Sequence, residues 1–183
     1  MSYTAQHEPN VTNKRDNAIR SKNEFIDVPE KIIWRLARGI HGPGLTGQGG
    51  LFASGRWHTR GIAVSYWADT PSLAALEVLA HLSRQLLPAD LTLYSMTLPA
   101  ACTLQTISAS MLPDDWQHAH DYRATEGWAQ RVQTQGDYAG FVVPSVVMPE
   151  QNNIVLFGTP QVSTLSVQSS RPFFFDERLW KTQ

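Results

Sequence analysis

The chain has 183 residues, 42% of them apolar and 17% charged, and its 15 Lys and Arg against 16 Asp and Glu give a formal net charge of −1. This length fits one globular domain that buries most of its apolar surface. The near-neutral charge excludes a general attraction to nucleic acid or anionic lipid, so an anion site must come from local clustering of charge. The apolar runs are far shorter than the roughly 20 residues that a membrane span needs.

The N-terminal segment and the cysteine content bear on the compartment. Residues 1–24 are polar and mixed in charge, which predicts a flexible tail before a domain over 25–183. They lack the apolar stretch of a secretion signal. The lone Cys102 cannot form an intramolecular disulfide, as is typical of a reducing compartment. We therefore expect a cytoplasmic protein without direct contact to nucleic acid or a membrane, while export as an effector stays open.

The order of the predicted elements indicates the fold class. Helix spacing, capping residues and apolar runs predict in turn a strand at 31–38, a Gly-rich loop at 39–55, a strand at 62–67, a helix from the Asp69-Thr70-Pro71 start to about Leu87, a strand at 90–98, a helix at 116–133, strands at 139–143 and 153–157, and one or two strands within 161–175. This order predicts a single mixed α+β domain.

Residues 31–67 form a basic, glycine-rich stretch. It contains no Asp or Glu but eight of the 12 glycines. Its five basic residues are Lys31, Arg35, Arg38, Arg56 and Arg60. Glycine lets backbone N–H groups approach a phosphate and Arg offers a planar set of donors, so the stretch predicts an anion site. The spacing matches neither a Walker loop nor a dinucleotide fingerprint, and a surface loop with solvated arginines is the alternative.

Glu77 is a candidate functional carboxylate. It lies in the middle of the predicted helix, among the apolar residues of SLAALEVLAHL. A partly buried carboxylate must be hydrogen-bonded, paired with a cation or retained for function. The alternative is a local contact with His81 or Arg84 on the same helix.

Two further groups of polar residues need an interpretation. Ser145 follows FVVP at the end of an apolar strand, where a side chain often faces a cleft, although it could also be a turn serine. No G-x-S-x-G motif surrounds it, which disfavours a serine nucleophile. His118, His120 and Asp121 lack a helical zinc spacing, so we predict no metal site.

Five segments in order carry a family resemblance. They are WR at 34–35, GGLFASGRW at 49–57, SYWADTPSLAALEVLAH at 65–81, VVPSVVMPEQNN at 142–153 and FFFDERLW at 173–180. Together they resemble the RES domain, a family named after an Arg, a Glu and a Ser. The resemblance runs from about Ile32 to Trp180 and leaves out the N-terminal tail.

The resemblance implies a fold, an activity and a partner. RES proteins are toxins of bacterial toxin–antitoxin pairs that degrade NAD, and their fold is similar to that of ADP-ribosyltransferase toxins. The implied partner is a cognate Xre-like antitoxin, which we expect to cover the NAD cleft. NAD is then the substrate, inorganic phosphate is an optional co-substrate, and neither a cofactor nor a metal is implied. Self-association stays open.

The family's functional residues fall on five positions of this chain. Arg35 and Arg56 would grip the pyrophosphate, and Tyr66 would stack near the nicotinamide. Glu77 would stabilise the positive charge that develops on the ribose, which makes it the candidate catalytic carboxylate. Ser145 would hydrogen-bond to Glu77 or to the substrate, and it is counted with Glu77 and Arg35 as a catalytic residue.

The chain departs from the family pattern at two places. His58 stands where many members have Asn after GRW, next to the expected phosphate site, and is therefore counted with the NAD-binding residues. Phe157-Gly158 stands where many members have an Asn-Pro pair, a change expected to affect packing.

Two rival functions remain beside cleavage of NAD by water or phosphate. One is ADP-ribosyl transfer to a macromolecule, and the other is a non-catalytic nucleotide-binding module. ADP-ribosyltransferases often carry Glu or Gln two residues before the catalytic Glu. Ala75 occupies that place here, which favours hydrolysis or phosphorolysis.

Overall fold

A computed structural model describes residues 30–82, 86–118 and 121–180, so the predicted tail at 1–24 lies outside the described residues. The strands are β1 Lys31–Arg38, β2 Val64–Ala68, β3 Leu91–Leu98, β4 Leu104–Thr106, β5 Gly140–Pro144, β6 Asn152–Phe157 and β7 Ser169–Pro172. They form one seven-stranded sheet in the order β4-β5-β6-β2-β1-β3-β7. Neighbouring strands are antiparallel except β4 and β5. This architecture confirms the predicted mixed fold class.

The helices cover the sheet. They are α1 Gly49–Phe52, α2 Pro71–His81, α3 Trp128–Gln135 and α4 Pro160–Ser163, with 3-10 turns at Gly39–His41, Ala109–Met111 and Glu177–Trp180. Leu73 of α2 is fully buried against Leu36 and Leu93 of the sheet. Burial of one such side chain contributes about 1.5–3 kcal/mol. In the described part of the chain, no helix has the length and apolar character to span a membrane.

The start of α2 is confirmed and its end is corrected. The Thr70 side chain accepts a hydrogen bond from the Leu73 amide, and Pro71 occupies the first turn, as the sequence predicts. The helix ends at His81 instead of about Leu87, because Leu82 is extended. Leu87 packs on the same apolar cluster from outside the helix, so its apolar character did not mark a continuing helix. Residues 83–85 lie outside the described residues.

The predicted helix at 116–133 is wrong for the described residues before Trp128. α3 begins at Trp128, and the described residues before it form turns. The main-chain oxygens of Trp116 and His118 accept hydrogen bonds from Arg56, a tertiary interaction that supplies an alternative to helical pairing. Side-chain spacing in the sequence carries no sign of that partner.

Four smaller features differ from the sequence prediction. The short strand β4 was not predicted, and the second strand begins at Val64 instead of Ile62. The segment 161–175 contains the end of α4 and one strand. The helical turn forms there because the Thr159 side chain accepts a hydrogen bond from the Val162 amide and caps it. The Gly-rich segment 39–55 likewise includes a 3-10 turn and α1.

The departure at Phe157-Gly158 has a packing explanation. Phe157 is buried against Phe141, with ring centroids 6.1 Å apart. A Cβ atom at Gly158 would lie 2.1 Å from the main-chain oxygen of Thr46, which is too close for any side chain. Here the close approach of the glycine-rich segment requires glycine.

The two central strands separate soon after they meet. β1 pairs with β2 at Trp34 and Ala68, whereas β1 pairs with β3 along its whole length from Lys31 to Arg38. The opposite edge of β2 pairs with β6 from Val64 to Ala68. The gap between β1 and β2 positions the site described next.

Candidate active site

A cleft of about 640 Å³ opens between β1 and β2 and continues under α2. Its volume lies in the range of roughly 300–1,000 Å³ that is typical of small-molecule sites. Its lining includes Arg35, Arg56, His58, Tyr66, Glu77, Tyr122 and Asn153. The structure thus brings together at one cleft five residues that the sequence nominated from three separate segments.

Arg35 is a partly buried cation with an unused donor. Its Nη1 donates to the main-chain oxygen of Tyr66 at 3.0 Å, across the gap between β1 and β2. Its Nε is buried and has no hydrogen-bond partner among the described residues. Burial lowers the pKa of Arg35 to about 10, so the side chain stays cationic at neutral pH. A cationic donor left unsatisfied in a cleft favours an anionic ligand.

Arg56 is held by main-chain oxygens and by an aromatic ring. Its Nη1 donates to the oxygens of Trp116 at 2.8 Å and His118 at 2.9 Å. Its guanidinium carbon lies 4.5 Å from the centroid of the Tyr122 ring. Within the described ranges no carboxylate forms an ion pair with Arg56 or Arg35. We call these two residues the arginine pair, and its charge is available to a ligand.

Tyr66 and His58 form a hydrogen-bonded chain beside the arginine pair. The Nε2 of His58 lies 3.0 Å from the main-chain oxygen of Ala53, which can only accept. The neutral ring therefore carries its proton on Nε2, and Nδ1 accepts from the Tyr66 hydroxyl at 2.7 Å. The same hydroxyl oxygen accepts from the Trp57 amide at 3.3 Å. Burial lowers the pKa of His58 and raises that of Tyr66, so both side chains are neutral.

This chain of contacts changes the expectation for His58. Both ring nitrogens have protein partners, so neither is free for a phosphate oxygen. The residue is 4% exposed, although it belongs to the cleft lining. The contact that His58 makes in the structure is with Tyr66, whose phenol oxygen it fixes.

Glu77 lies in a group that we call the carboxylate cluster, formed by Glu77, Ser145 and Asn153. The Oε1 atom of Glu77 accepts from the Ser145 hydroxyl at 2.7 Å and from the Asn153 amide nitrogen at 2.6 Å. The predicted alternative of a Glu77–His81 contact is not formed, although His81 also lines the cleft. Arg84, the other local candidate, lies outside the described residues.

The direction of the Ser145 hydroxyl is set by the turn that follows it. Its oxygen accepts from the amides of Val147 at 3.0 Å and Met148 at 3.1 Å. Both acceptor positions are then occupied, so the single hydroxyl hydrogen points to Glu77. Ser145 is fully buried and lies behind Glu77 instead of in the cleft lining. Of the two contacts that the resemblance allowed for Ser145, the structure contains the one with Glu77.

Two residues at the cleft were missed from the sequence. Asn153 stood inside the VVPSVVMPEQNN segment, and the signal that could have found it is an Asn pair at the start of an otherwise apolar strand. Tyr122 carried no such signal, because its place over Arg56 depends on the turns before α3. The three-residue group at 118–121 is not tested as a whole, since residues 119 and 120 are outside the described ranges. In the described ranges, no group of three or more His, Cys, Asp or Glu could hold a metal ion.

The fold and the cleft define a single-domain protein of the mixed α+β class, with a small-molecule site that contains cations and one fixed carboxylate. Residues 32–176 match the family model of the RES domain, and the chain belongs to that family. The resemblance of its motifs is thereby confirmed.

Curated relatives agree with this assignment. Toxin Res of Pseudomonas putida is 33% identical over 156 residues, which cover 81% of this chain and 99% of that protein. Toxin Res of Photorhabdus laumondii is 32% identical, with 68% of this chain and 80% of that protein covered. The Prs ADP-ribosylating toxin of Sphingobium is 28% identical, with 80% and 95% covered.

The structural comparison shows a shared fold. A chain from the crystal structure of the M. tuberculosis MbcT–MbcA toxin–antitoxin complex superposes with a TM-score of 0.62 at 16% identity. The match covers 79% of this chain and 84% of that chain.

Proposed function

We propose that this protein is the toxin of a toxin–antitoxin pair and that it cleaves the nicotinamide–ribose bond of NAD. One observation carries the chemistry: a carboxylate fixed by two neutral donors lines the same cleft as the arginine pair. The names of the relatives support the toxin role, since two of them are called Toxin Res.

Glu77 stabilises the reacting sugar. When the bond from ribose C1′ to the nicotinamide nitrogen breaks, its electron pair neutralises the pyridinium charge and positive charge develops on the ribose. An ionised carboxylate at that point lowers the energy of the transition state. Water then bonds to this carbon and loses a proton, which gives ADP-ribose. If phosphate bonds to it instead, the product is ADP-ribose phosphorylated at the same carbon. Because the leaving group departs neutral, the step needs no general acid.

The arginine pair binds the pyrophosphate. Main-chain oxygens hold the Nη1 atoms of both Arg35 and Arg56 before a ligand arrives. The buried Nε of Arg35 has no partner among the described residues and can donate to a phosphate oxygen. Tyr66 places its ring beside the same cleft and would contact the nicotinamide. His58 fixes the hydroxyl of Tyr66.

ADP-ribosyl transfer to a macromolecule is the second candidate. The name of the Sphingobium relative, Prs ADP-ribosylating toxin, favours it. The same carboxylate would stabilise the same sugar cation, and a nucleophile of the target would replace water. Ala75, two residues before Glu77, offers no side chain to activate such a nucleophile.

An antitoxin protein is the proposed partner. The related fold comes from a toxin–antitoxin complex, and an enzyme that consumes NAD in its own cell needs an inhibitor. We propose that an Xre-like antitoxin covers the cleft. A complex in which the antitoxin leaves the cleft open to NAD would contradict this arrangement.

Nicotinamide release from NAD by the purified protein tests the proposed function. The reaction is run in phosphate-free and in phosphate-containing buffer, with NAD labelled in the adenylate part and with cell extract added in a parallel series. Glu77→Gln is the control for the role of the carboxylate.

Each outcome selects one function. Release without phosphate that is lost in E77Q, with the label recovered as free ADP-ribose, establishes hydrolysis. Release that needs phosphate, with the label recovered as ADP-ribose phosphate, establishes phosphorolysis. Label attached to a macromolecule establishes the transferase. A protein that binds NAD and produces neither free nicotinamide nor labelled macromolecule is a binding module, and the proposal is then wrong.

A further inference from the structure

Asn153 lies on the strand β6, inside the sheet, and its side chain reaches Glu77 of α2. It is the second residue of β6, where it lies opposite Ala68 on β2 and opposite Val143 on β5. Because β6 is hydrogen-bonded along both edges, the backbone of Asn153 has little freedom to move. The side chain therefore meets Glu77 at a fixed position in the cleft lining.

The hydrogen bonds at Glu77 are unevenly divided between its two oxygens. Oε1 accepts from both Asn153 and Ser145, whereas Oε2 has no partner among the described residues. An ionised carboxylate only accepts hydrogen bonds, so Asn153 must present its amide nitrogen, not its oxygen. One oxygen is held by the protein and the other remains available to the substrate.

The two donors hold the carboxylate without neutralising it. Asn and Ser are uncharged, in contrast to the arginine that pairs with Asp90 on the surface. A cation beside Glu77 would offset the negative charge that the ribose requires in the transition state. A neutral amide fixes the position of the oxygen and leaves the full charge in the cleft.

We propose that Asn153 is a positioning residue that orients the Glu77 carboxylate, so that Oε2 alone faces the ribose of NAD. This role rests on the proposed function. It adds to the Arg, Glu and Ser of the family a residue whose effect is on the rate of bond cleavage and not on the binding of NAD.

The neighbouring residue provides a matched control. Asn152 also donates to a carboxylate, because its side-chain nitrogen lies 3.2 Å from Oδ2 of Asp69. Neither Asn152 nor Asp69 lines the cleft. Asn152→Ala therefore removes the same kind of contact one residue away, outside the site.

The experiment compares nicotinamide release by the full-length wild type and three variants. Asn153→Ala removes the donor, and we expect kcat to fall about 10- to 100-fold with KM within about threefold, as for a misplaced catalytic group. Asn153→Asp keeps the shape of the side chain but places a second carboxylate against Oε1, so kcat falls further, by at least about 100-fold. Asn152→Ala should keep kcat within about twofold of the wild type.

The order of the variants separates positioning from packing. A space-filling role would leave the isosteric N153D more active than N153A, the reverse of the order expected here, and N153D still provides the test if N153A does not fold. Wild-type release of nicotinamide together with equal kcat in N153A and N152A overturns the positioning role alone. Wild-type protein that releases no nicotinamide overturns the proposed function, and the positioning role falls with it.

Discussion

The carboxylate cluster and the arginine pair meet at one cleft, but their hydrogen-bonding groups are satisfied to different degrees. At the cluster, Ser145 has all three of its hydrogen-bonding positions occupied, and Glu77 is held through one oxygen. At the arginine pair, the partners are main-chain oxygens and an aromatic ring, and the Nε of Arg35 is buried without a partner in the described residues.

Arginines elsewhere in the described residues have varied partners: Arg131 and Arg171 lie over aromatic rings, and three others form ion pairs. Arg38, Arg123 and Arg178 each pair with an aspartate. Two cations without a carboxylate partner in a cleft are available to an anionic ligand. A carboxylate that is held in position before the substrate binds acts on the reaction itself. The comparison therefore predicts that changes at the cluster alter kcat and changes at the arginine pair alter KM.

The largest effect is expected at Glu77. Glu77→Gln keeps the shape of the side chain but removes its charge, so we expect kcat for nicotinamide release to fall at least about 1,000-fold. Calorimetry should find NAD affinity within about threefold of wild type. Glu150→Gln, an exposed change in the turn after Ser145, is the control. If E77Q retained turnover, the prediction that the carboxylate cluster governs kcat and the arginine pair governs KM would be wrong.

The next largest effect is expected at Arg35. Arg35→Met removes a charged donor whose interaction with a phosphate contributes about 1.5–3 kcal/mol, so KM for NAD should rise about 10- to 100-fold. Arg38→Met is the matched control, because Arg38 lies on the same strand but is exposed and paired with Asp90. The assignment of Arg35 to phosphate binding would be refuted by an unchanged KM and a large loss of kcat.

A smaller effect is expected at His58 and depends on pH. Asn cannot repeat both contacts of the ring, so His58→Asn should reduce the free energy of unfolding by about 1–2 kcal/mol at pH 7.5. His41→Asn, in an exposed turn, should change it little.

The sign of the pH dependence at His58 follows from its pKa. Burial lowers the pKa in the folded protein, whereas the unfolded chain keeps a value of about 6.5. As pH falls below that value, the unfolded state gains a proton that the folded state resists. The stability advantage of the wild type over H58N should therefore shrink from pH 7.5 to pH 5.5 in denaturant titrations. An advantage that grows on acidification would show that the ring is charged in the folded protein.

Sequence patterns predicted the sheet better than the segments around it. Strands β1, β3, β5 and β6 were placed to within one or two residues, because apolar runs bounded by Pro, Gly or Asp mark buried strands. The turns at 116–118 were read as helix, since the partner of their main-chain oxygens is Arg56, about 60 positions away in the chain. Local periodicity contains no information on such a contact.

The candidate site was likewise predicted in part from the sequence. Arg35, Arg56, Tyr66 and Glu77 were nominated by motif resemblance, and the structure places all four at one cleft. Which oxygen of Glu77 is held, and by which side chains, depends on the register of β5 against β6. That register brings Ser145, which directly follows β5, and Asn153, the second residue of β6, to the same carboxylate.

The smallest effect is expected at the surface ion pair of Arg38 and Asp90. Asp90 accepts from Arg38 at 2.9 Å, and this contact lowers the pKa of the carboxyl below its usual value near 3.8. Exposed pairs contribute little, so Asp90→Asn should lower the melting temperature by less than about 3 °C at pH 7 and leave both kcat and KM unchanged.

The contribution of Asp90 is present above about pH 4 and disappears as the pH falls through the lowered pKa, so the two melting curves should then converge. Salt at about 1 M should also reduce the difference, because it screens exposed charges. A change of KM in D90N would mean that the pair helps to place Arg35 on the same strand. The ion pair of Arg38 could then no longer be treated as purely structural, in contrast to the unpaired arginines of the cleft.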